Sequence, residues 1–575
     1  MTITQASSGP VKAEVSVGES AESLERRAAE ILAARAGVRL GHAVEVVEGG
    51  AARVTLGTTD SSAAIRRAVD HGSLAIPADP HGFGLAPRGD GAIMLGSAGE
   101  HGLMAGVGHV LRASSFVDGE WQLPSDACSS APAKAIRPIY FATHFGNWYC
   151  HAEETELRTY IEDLALDGYN ELVTWFDLHH FRSFDDGAEA WDRLVRVDRM
   201  ARDVGMRVGR VAIANESFEG QASPELRAVG RLAGTGYDTD LCPSKPEARR
   251  IILENKRAFL ERTRDTTALD WVCLWPYDQG GCNCDDCAPW PRTYLDLCRD
   301  IASLVGEVLP GTRPVVSAWW IGTHVASEDD AFFECLERGE TWFDTIMSGT
   351  VELRRWLADG RKVPDRYGVL LFPEISMFDA IPWGGRGANP APRKFEREMA
   401  ELGEHIAGAM PYSEGRYEDL NKFVWSRLQW EPDADVADIV EEYCRYHFGV
   451  EVAVDAAALV FEVEAGIRDL PTAASRLGQA VAIEARMDDK ARRSWRWAVL
   501  RARVEIDALR YDLERGSPAQ RAEVGARLRD VYDHLQRHVY RHDPDRSLRY
   551  WIYTPYEEWI TVPLNELVLP TGSSS

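Results

Sequence analysis

Asp270–Trp290 reads DWVCLWPYDQGGCNCDDCAPW, and its character changes abruptly near the middle. The first part, Trp271–Trp275, is a nearly unbroken apolar run, which is typical of a strand buried in a parallel sheet. Pro276 ends this run, Tyr277 and Asp278 follow it, and two glycines then lead into three cysteines. A carboxylate at the exit of a buried strand, with aromatic neighbours and a cysteine cluster, indicates part of an active site.

The same alternation of strand and loop recurs on both sides of this stretch. From Arg137 onward, short apolar segments alternate with amphipathic helices about every 35–45 residues, the pattern of parallel βα units. Eight such units predict an α/β fold, a (β/α)8 TIM barrel. An open doubly wound sheet is the alternative, but no glycine-rich phosphate loop supports it. The predicted strands are Pro138–Thr143, Glu171–Phe176, Arg207–Ala214, Trp271–Trp275, Pro314–Trp319, Phe343–Met347, Tyr367–Phe372 and Ile406–Pro411.

The chain of 575 residues is too long for one domain. Before the barrel, short strands and helices alternate, with a hairpin around Asp90 and Gly91, a favoured turn pair. After Trp430 the strand pattern stops. Helices are predicted over Ala434–Phe448, Asp455–Arg468, Gln479–Glu514 and Pro518–Val539, and an aromatic-rich tail over Arg549–Trp559. The predicted domains are a flexible lead (1–20), a small α/β domain (21–130), a TIM barrel (137–430) and a helical domain (431–570).

Composition excludes some partners. The formal charge of −26 argues against nucleic acid and anionic membranes. No window reaches 18 apolar residues, and the N-terminus lacks the basic start and apolar core of a signal peptide, so a cytoplasmic location is expected. Lysine is scarce and no glycine-rich phosphate loop is present, which argues against a phosphate substrate. No organic cofactor is expected.

The predicted strand ends carry many aromatic and polar side chains, and the C-terminal strand ends are where TIM barrels place their chemistry. Sugars stack their C–H faces on aromatic rings and hydrogen-bond polar side chains, so this composition favours a carbohydrate as the binding partner. Only strand six, ending near Ser348, offers little. The predicted substrate-binding residues are His144, Asn147, Trp148, Trp175, Asp177, His179, Trp275, Tyr277, Trp319, Trp383, Tyr412 and Arg416.

Four carboxylates at four strand ends are the catalytic candidates, because paired carboxylates act as acid and base, or as acid and nucleophile, on glycosides. A single glutamate at a strand end is more often part of a structural ion pair, but four together favour at least two catalytic groups. Glu414 and Glu374 are the leading pair. Asp278 either orients the sugar or belongs to the pair, and Glu216 is the reserve candidate.

Structural roles compete with these assignments. Packing under the loops explains the tryptophans as well as sugar stacking does. His179 and His180 are a candidate metal pair, but no third histidine or HExxH pattern accompanies them. Substrate hydrogen bonds or packing are therefore favoured for the two histidines.

Cys282, Cys284 and Cys287 form a C-x-C-x2-C cluster, a density that favours zinc. Zinc needs four ligands, and Cys242 lies in the neighbouring connection of the predicted barrel, so a structural site of four thiolates is expected. It would fix the loop after Asp278 and leave no open position for catalysis. Free thiols and a local disulfide are the alternatives.

Several segments resemble glycoside hydrolases. RVTLGTTD, GDGAIMLGS and GEHGLMAGVGHVLR, within residues 40–115, resemble the small domain before the barrel in family 20 β-hexosaminidases, family 84 enzymes and family 67 α-glucuronidases. WPYDQGGCNCDDCAPW and PYSEGRYEDLNKFVW resemble bacterial glycosidase-like proteins related to those families. The barrel followed by helices is most similar to the α-glucuronidase layout. The resemblance implies a three-domain glycoside hydrolase.

One departure matters for the mechanism. Family 20 enzymes have an adjacent Asp-Glu pair after strand four, and family 84 enzymes an Asp-Asp pair, whereas Gln279 follows Asp278 here. The general acid is therefore expected elsewhere, at Glu374 or Glu414.

An exo-acting glycoside hydrolase is the expected function. A metal-dependent sugar lyase or isomerase using His144 and His179, and a non-catalytic carbohydrate-binding barrel, are the alternatives. The helical domain, with Trp495 and Trp497, offers a surface for a homo-oligomer or for packing on the barrel.

Overall fold

The computed structural model describes residues 14–50, 52–117, 119–143, 147–230, 240–276, 278, 281–375, 389–466, 471–520, 523–524 and 526–527. The chain forms two compact units. The first comprises the described residues of Met1–Ala133 with Thr159–Asn170 and Asp203–Gly205; the second comprises Lys134–Arg158, Glu171–Arg202 and the described residues from Met206 onward. The domain boundaries expected from the sequence remain predictions.

The first unit contains a six-stranded mixed sheet with the order β2-β1-β3-β5-β4-β8. Its strands β2, β1, β3 and β5 are parallel, and β4 and β8 run antiparallel to their neighbours. The predicted hairpin around Asp90 and Gly91 is confirmed as the β4–β5 connection. The elements are β1 (Glu14–Val17), α1 (Ser23–Leu40), β2 (Glu45–Glu48), β3 (Val54–Thr58), α2 (Ala63–Asp70), β4 (Phe83–Pro87), β5 (Ile93–Ser97), α3 (Glu100–Ala113), β6 (Ser115–Val117), β7 (Glu120–Gln122) and β8 (Cys128–Ser130).

The sequence prediction of a flexible lead is wrong for the first strand. Val15 and Val17 of β1 are buried, and β1 pairs with β2 on one side and with β3 on the other. The strand has only four residues, which is too short for its alternation to stand out from the preceding polar segment.

The second unit contains the barrel, and the eight predicted strands are all present. Each strand is parallel to both neighbours. Along residues 138–430 the elements are β9 (Pro138–Phe141), α4 (Trp148–His151), α5 (Glu154–Asp167), β10 (Glu171–Trp175), α6 (Ala188–Asp203), β11 (Arg207–Ile213), α7 (Pro246–Thr266), β12 (Trp271–Trp275), α8 (Trp290–Val308), β13 (Arg313–Ser317), α9 (Ser327–Glu337), β14 (Thr345–Gly349), α10 (Thr350–Ala358), β15 (Gly368–Phe372), α11 (Pro392–Leu402), β16 (Gly408–Ala409), β17 (Tyr412–Ser413) and α12 (Asp419–Trp430). Of these, the part of α5 from Thr159 onward and the last residue of α6 belong to the first unit.

The eighth barrel strand is divided in two and closes the barrel. Its first part, β16, pairs with β15, and its second part, β17, pairs with β9. Closure brings the chains so near that a Cβ on Gly408 would lie 1.7 Å from the carbonyl oxygen of Ile136. Glycine is therefore required at this position.

The barrel interior is filled largely by aromatic rings from several strands. Tyr140, Trp275 and Phe372 pack edge to face, with ring centroids 5.1–6.1 Å apart. Trp175 and Tyr412 belong to the same buried cluster. The packing of these rings holds the strands in fixed positions. The polar side chains that follow the strands are therefore held at the C-terminal end of the barrel.

Helices follow the barrel, as the sequence predicts. They are α13 (Val436–Phe448), α14 (Ala453–Gly466), α15 (Ala473–Glu484), α16 (Asp489–Arg492) and α17 (Trp495–Arg515). Asp419 at the start of α12 accepts hydrogen bonds from Arg496 (2.6 Å) and from the Tyr443 hydroxyl (2.8 Å), which connects α12 to α17 and α13.

The single helix predicted over 479–514 is wrong. The chain breaks it at two N-caps, because Asp488 accepts a hydrogen bond from the backbone of Ala491 and Ser494 accepts one from that of Trp497. Most of the helix predicted at 518–539 and the aromatic tail lie outside the described residues. Every helix in the described part of the chain is too short or too polar to cross a bilayer.

Candidate active site

Three of the four predicted catalytic carboxylates come together at the C-terminal end of the barrel. Asp278 follows β12, Glu374 follows β15 and Glu414 follows β17. These strands are separated along the chain, but parallel strands of one barrel end on the same side. Glu414 and Asp278 both act electrostatically on Glu374, which shows that their charges lie close together.

Glu374 is the least compensated of the three carboxyl groups. Its Oε2 atom is buried and has no hydrogen-bond partner among the described residues. Burial raises the pKa of Glu374 well above its ordinary value, and the charges of Glu414 and Asp278 raise it further; Lys394 acts in the opposite direction with a smaller effect. Removing a carboxylate from water and placing like charges beside it both favour the protonated form. Glu374 is therefore suited to donate a proton.

Glu414 is fully buried and held in a fixed orientation. The Tyr412 hydroxyl donates a hydrogen bond of 2.7 Å to its Oε1 atom. Burial raises the pKa of Tyr412 well above its ordinary value, and Glu414 and Glu374 add to this effect, so the tyrosine stays a donor. The backbone N–H of Glu414 in turn donates to Glu418 (3.0 Å).

A buried polar network that the sequence analysis missed supports this strand end. Ser413 donates to Glu418 over 2.6 Å, and the Tyr149 hydroxyl bonds to Ser413. Lys422 donates to the Tyr149 oxygen over 2.8 Å. Burial lowers the pKa of Lys422 to about 8 against the opposing effect of Glu418. The one sequence signal for this network was the spacing of Glu418 and Lys422, which places both on one face at the start of α12.

Asp278 is held by two indoles. Its Oδ1 atom accepts hydrogen bonds from Trp319 Nε1 (2.8 Å) and Trp320 Nε1 (3.1 Å). Burial raises the pKa of Asp278, and the two indole N–H groups oppose this shift. Trp320 has a positive φ of 64°, an unusual conformation for a bulky residue that costs roughly 1–3 kcal/mol and clusters at functional sites. Both tryptophans stand at the end of the fifth predicted strand, and only Trp319 was predicted to bind substrate.

Strand six contributes more than its sequence indicates. Glu352, two residues into α10, accepts a hydrogen bond from the backbone N–H of Trp320 (3.2 Å). A Cβ on Gly349 would lie 2.3 Å from the Glu352 carboxylate and 2.9 Å from the Trp319 ring. The absence of a side chain at Gly349 thus allows the close approach that positions both tryptophans.

Glu216, the fourth predicted carboxylate, has different surroundings. It is buried, and it pairs with Lys256 (3.3 Å) and His179 (3.4 Å). The Leu178 backbone N–H also donates to it (3.1 Å). Burial by itself would raise the pKa of Glu216, but Lys256 and His179 lower it by more, and the net shift is downward. These contacts are those of a structural ion pair.

Asp177, His179 and His180 form a second polar cluster. One potential ligand atom from each lies within 4.8 Å of the others. Asp177 pairs with His180 Nδ1, and His179 Nε2 lies 3.8 Å from the Asp177 carboxylate. One carboxylate and two imidazoles are a donor set that binds divalent transition metals.

The other predicted binding residues are mostly packed. Trp175 and Trp275 are 1% and 3% exposed and belong to the barrel core, whereas Trp319 is only partly buried. Asn147 caps α4 and donates to the Ala142 carbonyl (2.9 Å). His144, Tyr277 and Trp383 lie outside the described residues.

Arg416 lies between two tryptophan rings. Its guanidinium is 4.9 Å from the ring centroid of the buried Trp148 and 4.9 Å from that of Trp495 in α17. Together with Asp419 and Tyr443 it lines a cavity at the C-terminal helices. The substrate-binding roles of Arg416 and Trp148 remain predictions.

The four predicted metal-binding cysteines also come together. Cys242 follows β11, and Cys282, Cys284 and Cys287 follow β12. Their four sulfur atoms all lie within 4.8 Å of one another, and none forms a disulfide.

No family model and no curated protein matches this sequence. Solved structures do match its fold. A family GH115 4-O-methyl-α-glucuronidase with specificity for decorated arabinogalactans has a TM-score of 0.64 at 10% identity, covering 91% of this chain and 76% of its own. A GH138 enzyme targeting pectin rhamnogalacturonan II has a TM-score of 0.54 at 10% identity, covering 92% of this chain and 74% of its own.

A third similar structure is the GH20 exo-β-N-acetylglucosaminidase of Vibrio harveyi, with a TM-score of 0.52 at 11% identity, covering 79% of this chain and 75% of its own. The fold is that of glycoside hydrolases with TIM-barrel cores. The predicted barrel and the predicted structural resemblance to family 20 are thereby confirmed. At such low identities the similarity establishes the fold alone.

Proposed function

We propose that this protein is a glycoside hydrolase that removes terminal sugars, with Glu374 as the general acid and Asp278 as the second carboxylate. One observation carries the proposal: Asp278, Glu374 and Glu414 converge at the C-terminal end of the barrel, where the buried Oε2 of Glu374 has no hydrogen-bond partner among the described residues and the neighbouring carboxylates favour its protonated form. A carboxyl group that stays protonated can donate to the leaving oxygen of a glycosidic bond. The partner carboxylate then acts as nucleophile or as base.

Accessibility favours Asp278 over Glu414 as the second group. Glu414 is fully buried behind the Tyr412 hydroxyl, whereas Asp278 and Glu374 are only partly buried. The two indole N–H groups bond one oxygen of Asp278, which orients the carboxylate and leaves the other oxygen for a sugar or a water molecule. Glu414 acts instead through its charge, which helps to keep Glu374 protonated. This assignment revises the leading pair expected from the sequence.

The exo mode and the substrate class draw support from the similar structures. One of them is named as an exo-acting enzyme and another as a 4-O-methyl-α-glucuronidase with specificity for decorated arabinogalactans. The partly buried Trp319 places a ring next to Asp278, where a pyranose can stack. Gln279 stands where family 20 enzymes have their acid, so acetamido-assisted hydrolysis is not part of the proposal.

A screen of nitrophenyl glycosides and of plant and bacterial oligosaccharides tests this function, with the Glu374→Gln protein as the control. The expected result is release of a single monosaccharide by the wild-type protein and almost none by the variant. Sugar binding in a calorimeter without product from any glycoside would instead identify a non-catalytic carbohydrate-binding barrel and contradict the proposal.

A metal-dependent sugar lyase or isomerase is the second candidate, and the Asp177, His179 and His180 cluster favours it. A metal at this position would act as a Lewis acid on a carbonyl or carboxylate of the substrate. This candidate predicts that His180→Ala abolishes activity and that the product is an unsaturated or isomerised sugar. Hydrolysis products from a fully active His180→Ala protein would eliminate it.

A further inference from the structure

We propose that Cys242, Cys282, Cys284 and Cys287 bind one structural zinc ion that joins two neighbouring connections of the barrel. The distances carry this proposal. The Cys242 sulfur lies 3.7 Å from that of Cys284 and 3.6 Å from that of Cys287. A tetrahedral zinc ion with zinc–sulfur bonds of about 2.3 Å places its sulfur ligands about 3.8 Å apart. The observed separations are close to this edge length.

The same distances argue against a disulfide and against an iron–sulfur cluster. A disulfide requires about 2.05 Å between sulfurs, and the four cysteines are free in the structure. An iron–sulfur cluster needs space for inorganic sulfide between its cysteine ligands, and four sulfurs that all lie within 4.8 Å of one another do not leave it. Thiols at van der Waals contact would gain little from converging here from two separate connections.

The surroundings of the sulfurs are those of metal-bound thiolates. The backbone N–H of Val229 donates a hydrogen bond to the Cys282 sulfur (3.3 Å). The Ser244 hydroxyl lies 3.0 Å from the Cys287 sulfur and donates to the Asp286 carbonyl (3.0 Å), which places a polar group beside a second sulfur. Hydrogen bonds of this kind orient ligands and spread the negative charge that four thiolates bring to the metal. Four protein ligands complete the tetrahedron, so the ion is structural and does not take part in the chemistry.

The ion would connect the segment after β11 to the one after β12. A backbone hydrogen bond from Asn283 to Val229 (2.9 Å) already pairs these two segments. Gly281, three residues after Asp278, has a positive φ of 90°, and a Cβ there would lie 1.9 Å from the Trp290 ring. The metal and Trp290 together would fix the segment that begins at Gly281. The proposed ion does not depend on the proposed hydrolase activity.

The first test is elemental analysis of the wild-type protein purified without a metal-chelating tag. One zinc per chain is expected, with four sulfur atoms at about 2.3 Å in its X-ray absorption spectrum. Less than a tenth of an equivalent, a stoichiometric metal other than zinc, or a shell containing nitrogen or oxygen would overturn the proposal.

Variants then locate the ion. Cys284→Ala should lose the zinc, because it removes one of the four ligands. Cys284 is chosen because it is the only partly buried ligand of the four, so its replacement disturbs packing least. Cys128→Ala, at a partly buried cysteine of the first unit, should keep it. Zinc retained in Cys284→Ala would overturn the assignment.

A further measurement uses the wild-type protein, so it tests the zinc site even where Cys284→Ala fails to fold. An organomercurial should release the zinc to a chromogenic chelator and raise hydrogen–deuterium exchange in residues 240–245 and 281–290. Zinc that EDTA removes at once, without a change in exchange or in Tm, is adventitious and would contradict a structural role.

Discussion

Glu374 and Glu216 are the same residue type at two strand ends of one barrel, yet their surroundings are opposite. Glu216 has Lys256, His179 and a backbone N–H as partners, and the net shift of its pKa is downward in spite of burial. Glu374 has a buried oxygen without a hydrogen-bond partner among the described residues, three acidic neighbours (Glu414, Asp278 and Glu418) and a raised pKa. The cationic and hydrogen-bonding partners of Glu216 stabilise its ionised form and thereby the fold. Glu374 has acidic neighbours instead, so its ionised form is costly and its carboxyl group keeps a proton that it can donate. The difference lies in the partners of the two carboxyl groups rather than in the residue type.

The largest expected effect is on catalysis at the uncompensated site. Glu374→Gln should lower kcat by roughly 10²–10⁴-fold, because the amide cannot donate the proton. The same change should leave stability at neutral pH equal or higher. The folded-state pKa of Glu374 is raised, so ionisation opposes folding as pH rises through that pKa, and the neutral amide removes this cost.

Turnover of the panel substrates and urea unfolding check both parts of this prediction. Glu337→Gln, at an exposed position in the last turn of α9, is the matched control and should change neither quantity. Near-wild-type turnover by Glu374→Gln would remove Glu374 from the acid role.

The second effect is on stability at the compensated site. Lys256→Met should cost about 3–5 kcal/mol of unfolding free energy, because it leaves the buried Glu216 without its cation. The folded-state pKa of Glu216 is lowered, so the pair contributes stability above the unfolded-state pKa and loses it as pH falls through the folded-state value. The loss in the variant should therefore be large at neutral pH and shrink in acid.

Urea denaturation at several pH values measures this loss. Lys362→Met removes a lysine from an exposed ion pair with Asp365 and should cost less than about 1 kcal/mol. Equal losses in the two variants would mean that the Glu216 pair is no more important than a surface pair.

The third effect distinguishes an electrostatic role of Glu414 from a catalytic one. A general acid loses activity as pH rises through its pKa, and the charge of Glu414 raises the pKa of Glu374. Glu414→Gln should therefore move the alkaline limb of the kcat/KM profile to lower pH while activity in acid persists. Loss of activity at every pH, as deep as that of Glu374→Gln, would make Glu414 a catalytic residue and reject the division of roles proposed here.

The sequence predicted the barrel well because its signals were local. Each strand is a short apolar run that ends at a turn residue, so all eight could be recognised, and the acidic residues after strands four, seven and eight followed from strand position alone. The sequence did not reveal which acids have partners. Lys256 lies 40 residues from Glu216, and no pattern along the chain indicates that they meet.

Residues that position others by packing closely against them were equally hard to predict. Gly349 and Glu352 position Trp319 and Trp320 from a strand end whose sequence shows little polar character. The positive φ of Trp320 depends on tertiary packing rather than on its neighbours in sequence. β1 was missed because a strand of four residues carries too little alternation to be distinguished from a flexible segment.

The smallest expected effect concerns the two indoles on Asp278. Trp320→Phe keeps an aromatic side chain but removes the indole N–H and its hydrogen bond to Asp278. The loss of this bond is worth about 0.5–1.5 kcal/mol, or a few-fold in kcat/KM. The indole N–H groups oppose the rise in the pKa of Asp278, so their loss should raise it further. Because Asp278 must be ionised to act as nucleophile or base, the acid limb of the profile should move to higher pH, opposite to the shift expected for Glu414→Gln.

Trp342→Phe is the matched control for the indole variant, because Trp342 also donates its indole N–H to a carboxylate, that of Glu340 (3.0 Å), but away from the strand ends that carry the acids. It should leave the profile unchanged. An acid limb that stays in place in Trp320→Phe while kcat/KM falls would show that the indole positions the substrate rather than Asp278. The expected pair of results is an acid limb that moves to higher pH in Trp320→Phe and an alkaline limb that moves to lower pH in Glu414→Gln. This pair would show that Asp278 acts as the charged carboxylate and Glu374 as the acid.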